Sequence, residues 1–210
     1  MILYFASTNP GKLAEFREAA QLCGIAVEPV PGISEVPECV EDGLTFEDNA
    51  RKKALHYCPD ADGLVFADDS GLCVDALSGA PGVYSARFAG NGATDHENNR
   101  KLLAELRCVE NARLGRAQGN VPLNRAAQFV CAIALAERGR ILTVVEGRVD
   151  GLIFESPRGE GGFGYDPLFF HPALRKTLAE LGPGEKFNIS HRGEAFRKLL
   201  EYLTLPLETK

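Results

Sequence analysis

A run of four apolar residues, 64–67 (Leu-Val-Phe-Ala), is followed at once by the adjacent acids Asp68 and Asp69 and by Ser70-Gly71. Apolar residues bounded by turn-forming ones predict a short buried strand that ends at the acids. Neighbouring strand residues point to opposite faces, so the two carboxylates face different ways unless the chain turns there. We therefore expect one acid to face a cleft and the other to orient it or the next loop. A merely polar junction between strand and turn is the alternative.

Composition places the chain among globular proteins and argues against some partners. With 210 residues, 45% of them hydrophobic, its length suits one large domain or two small lobes, and we expect a single domain over residues 1–210. The net charge of −6 argues against nucleic-acid binding. No apolar run approaches the ~18 residues of a membrane span, so we expect no membrane association, and no signal peptide is evident. Six widely spaced cysteines without a zinc-ligand pattern predict reduced thiols and a cytoplasmic protein.

Capping residues mark the starts of four helices. After a predicted strand over residues 1–6, Asn9 is a good N-cap, and Pro10 suits the first position of a helix over residues 10–23. Three further helix starts are marked by Thr45 with Asp48, by Thr94 with Glu97, and by Ser190 ahead of residues 191–203.

Apolar patterns and turn residues predict the remaining elements. Residues 25–41 contain three prolines and predict an edge strand followed by a loop. Residues 128–136 and 141–150 predict two strands joined by a hairpin at 137–140. Residues 108–125 are polar, lack periodicity and predict a long loop with at most a short helix. A short helix is expected at residues 177–181.

The loop between the first strand and the first helix is a candidate phosphate site. A helix N-terminus presents unpaired N–H groups and a partial positive charge. Ser7, Thr8 and Asn9 add side-chain donors, and Lys12 adds a full charge about one turn into the helix. The loop lacks the glycine and lysine pattern of a P-loop. An ordinary capped helix with a solvated Lys12 is the alternative.

An acidic loop precedes the second helix and includes Glu38 and Glu41. Mg²⁺ is commonly bound by one or two carboxylates together with substrate phosphates, so this loop can add a second carboxylate to the paired acids. A simply solvated loop is the alternative. On the second helix, Asn49 and Lys53 are predicted to be mostly solvated, although their spacing of one turn would let both face a ligand.

Two stretches nearer the C-terminus have unusual compositions. Residues 157–167 place Phe163 and Tyr165 among glycines, which suits a backbone that approaches a ligand closely and rings that stack on a base. A mobile loop is the alternative. His191 and Arg192 fall in the first turn of the last helix, where cations are disfavoured unless an anion or acceptor lies near. Such a local conflict is expected at a functional site.

Five motifs occur along the chain in the following order. They are Ser7-Thr8-Asn9-Pro10-Gly11-Lys12 with Glu15, Asp68-Asp69-Ser70-Gly71-Leu72, Gly79-Ala80-Pro81-Gly82-Val83-Tyr84-Ser85-Ala86-Arg87, Gly161-Gly162-Phe163-Gly164-Tyr165-Asp166-Pro167 and Ser190-His191-Arg192-Gly193. Together they resemble the inosine triphosphate pyrophosphatase family, the house-cleaning enzymes for dITP, ITP and XTP, from residue 3 to about residue 203. Five motifs in order are far more specific than any one of them.

The resemblance implies an α/β fold with a long mixed central sheet flanked by helices, and two lobes with an active-site cleft between them. It also implies a homodimer and Mg²⁺-dependent cleavage of non-standard purine nucleoside triphosphates to the monophosphate and pyrophosphate. This activity removes deaminated purines from the nucleotide pool. The polar stretch 108–125 is longer than the family pattern and bears on the dimer surface.

The resemblance also implies roles for individual residues. Asp69 would be the proton acceptor and, with Glu41, a ligand of Mg²⁺, although Glu38 is an alternative to Glu41. The residues that would bind substrate are Ser7, Thr8, Asn9, Pro10, Gly11, Lys12, Ser70, Phe163, Gly164, Tyr165, Asp166, Lys186, His191 and Arg192.

The chemistry can be argued from these residues. Water would attack the α-phosphoryl group, and either Asp68 or Asp69 would take its proton. N–H donors from Arg192 or His191 would favour the oxygen at position six of hypoxanthine or xanthine over the amino group of adenine. Two alternatives stay open: a related pyrophosphatase of pyrimidine nucleotides, such as the septum-formation-inhibitor-like family, and a non-catalytic nucleotide-binding module. The paired acids argue against the second alternative.

Overall fold

The computed structural model describes residues 1–21, 23–58, 63–114 and 124–204. Seven strands form one sheet in the order β2-β1-β3-β4-β5-β6-β7. β1 pairs with β2 and β3 in parallel, whereas β6 pairs antiparallel with β5 and β7, so the sheet is mixed. The strands are β1 (Ile2–Phe5), β2 (Ala26–Pro29), β3 (Leu64–Val74), β4 (Ala126–Glu137), β5 (Arg140–Ile153), β6 (Phe169–His171) and β7 (Lys176–Thr177).

Five α-helices accompany the sheet in the described residues. They are α1 (Pro10–Gln21), α2 (Phe46–Tyr57), α3 (Asp95–Leu114), α4 (Pro183–Ile189) and α5 (His191–Thr204), with short 3₁₀ helices at Asp75–Leu77, Gly82–Arg87 and Leu178–Glu180. These elements confirm the predicted α/β class with a long mixed sheet and flanking helices. The expected cleft between two lobes stays a prediction.

The chain divides into two compact units. The first unit comprises Met1–Ser70, Val130–Arg148 and Pro183–Lys210, and the second comprises Gly71–Phe129 and Val149–Gly182. Each unit is therefore assembled from separate pieces of sequence.

In the first unit, β3 and β4 are buried on both faces. One cluster contains Phe5, Phe16, Phe66 and Phe196, whose rings lie 4.8–5.8 Å apart, and so joins β1 and β3 to α1 and α5. Another cluster joins the opposite face of β3 and β4 to α2 through small residues, including Ala50, Ala54, Ala67, Ala132 and Ala134. Burial on both faces explains why residues 64–67 read as a continuous apolar run.

In the second unit, side chains tie the 3₁₀ helix Gly82–Arg87 to its surroundings. Asn98 of α3 donates to Ala86 O at 3.1 Å and accepts from the Ala89 N–H at 2.8 Å. The Tyr165 hydroxyl donates to Ser85 O at 2.9 Å. These hydrogen bonds satisfy the donor and the acceptor of the Asn98 side chain and the hydroxyl group of the buried Tyr165. Buried polar groups generally have such partners.

Two expectations about element length are wrong. β3 does not end at the acids but continues to Val74, because Asp68 and Asp69 find polar partners inside the fold and need no turn. α3 continues through Cys108 to Leu114, although residues 108–125 predict a loop. The end of the helix is largely exposed and so shows no apolar stripe. Residues 115–123 of the predicted loop lie outside the described residues.

Several local predictions are confirmed. Thr45 and Asp48 form a capping box, and Thr94 and Glu97 exchange the same pair of hydrogen bonds. Residues Arg138 and Gly139, both at positive φ, join β4 to β5 as a two-residue hairpin turn. β2 is an edge strand, as its prolines predict. α1 ends at Gln21, slightly before its predicted end.

The cysteine and membrane predictions can also be compared with the structure. All six cysteines lie in the described part of the chain, and none forms a disulfide. Among the described residues, no helix has the length and apolarity needed to cross a membrane.

Candidate active site

β3 carries Asp68 and Asp69 side by side and sends their side chains to opposite faces of the sheet. Phe66 packs in the aromatic cluster under α1 and α5, whereas Val65 and Ala67 pack in the cluster under α2. Side chains two residues apart on a strand share a face, so Asp68 follows Phe66 and Asp69 follows Ala67. The contacts of each carboxylate agree with this placement and confirm the predicted divergence.

Asp68 is fully buried in a cluster of cations. Its two oxygens accept hydrogen bonds from Lys12 Nζ at 3.0 and 2.8 Å, and Oδ2 also accepts from Ser70 Oγ at 3.1 Å. Arg192 Nε lies 3.7 Å from the same oxygen. Burial alone would raise the pKa of Asp68, but the charges of Lys12, Arg192 and Lys53 outweigh it and lower the pKa to about 2. Asp68 is therefore an ionised group that positions two cations.

Glu15 connects the same cluster to the C-terminal helices. It lies on α1 just after Lys12 and accepts hydrogen bonds from Lys186 Nζ at 2.7 Å and from Arg192 Nη1 at 3.2 Å. Arg192 Nη2 also donates to Ser70 Oγ at 3.1 Å. The guanidinium group therefore has hydrogen-bond acceptors on two different elements, which fixes its orientation.

Asp69 lies on the α2 face, where it is 6% exposed. Its Oδ2 accepts a hydrogen bond from Asn49 Nδ2 at 2.9 Å. Lys53 Nζ lies 3.5 Å from Asp69 Oδ1 and 3.1 Å from Glu41 Oε1. Burial raises the pKa of Asp69 above its usual range and outweighs Lys53 and Asn49, which both lower it. The two neighbouring carboxylates thus differ in proton affinity because their surroundings differ.

Asp69 and Glu41 are suited to a hard divalent cation. Both carboxylates lie within 3.5 Å of a single ammonium group, so they already converge on one positive charge. Mg²⁺ typically takes one or two carboxylates and completes its shell with water and substrate phosphates. In the described ranges, no group of three or more acidic, histidine or cysteine side chains could hold a metal by itself. A metal here would therefore complete its shell with water and substrate oxygens.

The loop ahead of α1 is shaped by its own side chains. Asn9 Oδ1 accepts from the Lys12 N–H at 3.0 Å, which confirms the predicted N-cap, and Ser7 Oγ accepts from the Asn9 N–H at 3.2 Å. The Lys12 ammonium is bound to Asp68, so the alternative of a solvated lysine is wrong. The rest of the loop consists of Thr8 and Pro10, which are exposed, and Gly11, which is half-buried.

His191 and Arg192 occupy the first turn of α5, as predicted, and the structure explains how two basic residues are accommodated there. Arg192 is paired with Glu15 and Asp68. His191 is buried, and burial, reinforced by the charges of Arg192, Lys186 and Lys12, lowers its pKa well below the usual range. The imidazole is therefore neutral at pH 7, so only one of the two residues is a cation.

The predicted base-stacking residues belong to the second unit. Phe163 is half-buried, whereas Tyr165 and Asp166 are buried. Asp166 Oδ2 accepts from the Phe163 N–H at 2.9 Å, and the Tyr165 hydroxyl is bound to Ser85. Tyr165 thus anchors the loop, whereas part of the Phe163 side chain is exposed and can contact a ligand.

Sequence patterns assign no role to Glu15 and describe Asn49 and Lys53 as mostly solvated. The second expectation is wrong, because Asn49 is fully buried and Lys53 is only 8% exposed. Their partner Asp69 lies on another element, so no local pattern reveals the contact. The available signal is their spacing of four residues, which places both on the face of α2 that is otherwise apolar, since buried polar side chains need partners.

The sequence of the chain matches one protein family over nearly its whole length. The sequence profile of the Ham1 family matches residues 3–202, and the chain belongs to this family. This confirms the family predicted from the five motifs.

Individual relatives agree with this assignment. A dITP/XTP pyrophosphatase of Desulforamulus reducens is 48% identical over 207 residues, which cover 97% of this chain and 96% of the relative. A dITP/XTP pyrophosphatase of Bacillus subtilis is 44% identical over 198 residues, which cover 94% of both chains. The solved structure of a HAM1 protein from Coxiella burnetii is 40% identical, with a TM-score of 0.83 and coverage of 97% of this chain and 98% of that one.

Proposed function

We propose that this chain is a nucleoside triphosphate pyrophosphohydrolase that cleaves non-standard purine nucleotides, namely ITP, dITP and XTP, to the monophosphate and pyrophosphate. The observation that carries the proposal is the convergence of Asp69, Glu41 and Lys53 on one face of β3. The cluster of Asp68, Lys12 and Arg192 on the other face supports it. The substrate class comes from the relatives, whose names give dITP and XTP.

The charge balance of the first-unit site supports a role for a divalent cation. Four acids, Asp68, Asp69, Glu15 and Glu41, are paired with four bases, Lys12, Lys53, Lys186 and Arg192, so these groups sum to zero charge. A triphosphate is highly anionic, and the whole chain carries a net charge of −6. A bound dication would make the site net positive and so favour the substrate.

The side chains can perform the hydrolysis with little covalent participation. Attack on a phosphoryl group mainly needs positioning and neutralisation of oxygen charge. Asp69 is the group we assign to accept the proton of the attacking water, because its pKa is raised and Asn49 fixes its orientation. Asp68 is assigned to positioning, because its charge is committed to Lys12 and Arg192.

Mg²⁺ is the metal that we propose, with Asp69 and Glu41 as its protein ligands. When bound, it would supply charge neutralisation at the phosphate oxygens and a lowered pKa for water. Lys53 lies between the two carboxylates and would limit their mutual repulsion in the absence of metal. We also propose a homodimer, which sedimentation tests, and a cytoplasmic location, which agrees with the absence of disulfides among the six cysteines.

Replacing Asp69 tests the catalytic assignment. Asp69→Asn is expected to lower the rate of pyrophosphate release by about 100-fold or more, because the amide cannot accept the proton. The amide is also a weaker ligand for Mg²⁺, so nucleotide binding is compared at saturating Mg²⁺, where it should stay within about tenfold because the amide keeps the shape and polarity of the side chain. Asp75→Asn, at an exposed aspartate of the second unit, is the matched control and should retain the wild-type rate. Near-normal turnover by Asp69→Asn would remove this residue from the mechanism.

A substrate panel separates the proposed function from its alternatives. Pyrophosphate release from ITP, XTP and dITP should exceed release from GTP, ATP and dUTP. A preference for pyrimidine triphosphates would favour the related family of pyrimidine nucleotide pyrophosphatases. Nucleotide binding without release of pyrophosphate from any of these triphosphates would favour a binding module.

A further inference from the structure

Gly164, one of four glycines in the predicted base-stacking loop, is bound through both its N–H and its carbonyl by one helix. The Gly164 N–H donates to Asp95 Oδ2 at 2.6 Å, and Gly164 O accepts from Asn99 Nδ2 at 2.9 Å. Asp95 and Asn99 are four residues apart on α3, so they lie one above the other on the same face. All three residues belong to the second unit. We call Asp95 and Asn99 the α3 clamp.

The clamp fixes one of the three glycines of this loop that have a positive φ. Gly164 has a φ of +64°, a conformation that other L-residues rarely adopt. On either side of it, the Phe163 N–H is bound to Asp166, and the Tyr165 hydroxyl is bound to Ser85. Without the clamp, the Gly164 backbone would lose both of these hydrogen bonds and rotate more freely, and the adjacent Phe163 would move with it.

Within the described ranges, the side chain of Asn99 has an unpaired buried acceptor, which lowers the stability of the fold and indicates a role other than stabilisation. It is 9% exposed, and its Oδ1 is buried without a hydrogen-bond partner in the described part of the chain. A buried unpaired acceptor costs roughly 1–3 kcal/mol, so stability alone would favour an apolar residue. Its neighbour Asn98 differs, because it uses both its donor and its acceptor. The feature that Asn99 offers in return is the donor to Gly164.

We propose that Asp95 and Asn99 are positioning residues that set the place of Phe163 for the nucleotide base. The assignment rests on the proposed function and on the role in substrate binding that the family resemblance implies for residues 163–166. A loop held in its bound shape before the ligand arrives loses less freedom on binding, so the clamp acts on affinity. Neither residue takes part in the chemical step, and the clamp should leave the rate of that step nearly unchanged.

Steady-state kinetics with XTP test each half of the clamp. Asp95→Ala and Asn99→Asp should each raise KM about tenfold, in line with the loss of one hydrogen bond, and leave kcat within about threefold. Asp95→Asn should stay within about twofold of the wild type, because its amide oxygen can still accept from the Gly164 N–H. Asp95 is exposed, so its variants are expected to fold normally even if a change at the buried Asn99 perturbs folding.

Hydrogen exchange supplies a readout that does not depend on activity. Exchange of the amides at residues 163–166 should speed up in Asp95→Ala and Asn99→Asp and stay unchanged in Asp95→Asn. Unchanged KM in the first two variants, or a loss of kcat as large as the change in KM, overturns the clamp while the proposed function stands. If the wild-type protein releases no pyrophosphate from any purine triphosphate, the proposed function is wrong, and so is the role of the clamp that depends on it.

Discussion

Glu38 and Glu41 lie three residues apart in the same acidic loop, and composition alone does not choose between them as a metal ligand. The structure distinguishes them by their surroundings. Glu41 reaches Lys53, which also contacts Asp69, whereas Glu38 is exposed. Glu41 and Asp69 already contact the same ammonium group, so little rearrangement is needed for both to bind one metal ion. The geometry therefore favours Glu41 as the second ligand.

A metal titration of two matched variants tests this choice. Glu41→Gln should raise the Mg²⁺ concentration that gives half-maximal pyrophosphate release by about tenfold or more, because an amide is a weaker ligand than a carboxylate. Glu38→Gln removes the same charge from the same loop and should stay within about twofold of the wild type. An equal or larger effect at Glu38 would reverse the assignment.

Residue-level prediction succeeds here where the information is local. The N-cap role of Asn9 and the opposite directions of Asp68 and Asp69 follow from neighbours along the chain, and the structure has both. The contacts of Glu15 with Arg192 and of Lys53 with Asp69 join distant parts of the sequence. Such pairs depend on which elements pack together, which one sequence does not show.

At the scale of elements, the ends of strands and helices are harder to predict than their existence. β3 continues past its acids because their partners come from α1, α2 and α5, so the polar residues do not signal a turn. α3 continues to Leu114, well past the buried Leu106, because extending an existing helix is far easier than starting one. Both errors come from interpreting a change in polarity as a change in structure.

The junction of α4 and α5 depends on a residue without a side chain. Ser190 Oγ accepts from the Gly193 N–H at 3.1 Å, and a Cβ on Gly193 would overlap Phe187 O. Gly193→Ala should therefore destabilise the protein by about 2 kcal/mol, as overpacking typically does, and raise KM by displacing Arg192. Urea unfolding measures the first effect and steady-state kinetics the second.

Gly182→Ala is the control for this substitution. Its position has an ordinary φ and no atom within 4 Å of an added Cβ, so its free energy of unfolding should stay within about 0.5 kcal/mol of the wild type. A Gly193→Ala protein as stable as this control would show that the junction can shift at no cost.

At the scale of the whole molecule, the five motifs predict the family and the α/β class but not the distribution of charge. A net charge of −6 gives no indication that four bases gather around four acids in the first unit. His191 lies among three of these bases, Lys12, Lys186 and Arg192, and is kept neutral. This neutrality links the stability of the chain to pH.

The pKa of His191 in the folded protein lies well below its usual value of 6.5, chiefly because of burial. The folded state therefore binds fewer protons than the unfolded state below pH 6.5, so its stability is complete above that pH and falls as pH decreases. Between pH 7.5 and 5.5, the wild type should lose about 1 kcal/mol more free energy of unfolding than His191→Gln, which has no imidazole to titrate. Urea unfolding at several pH values measures both slopes, so a lower baseline stability of the variant does not affect the comparison. Parallel pH profiles of the two proteins would mean that His191 has the same pKa in the folded and unfolded states, and the lowered pKa of the folded state would then be wrong.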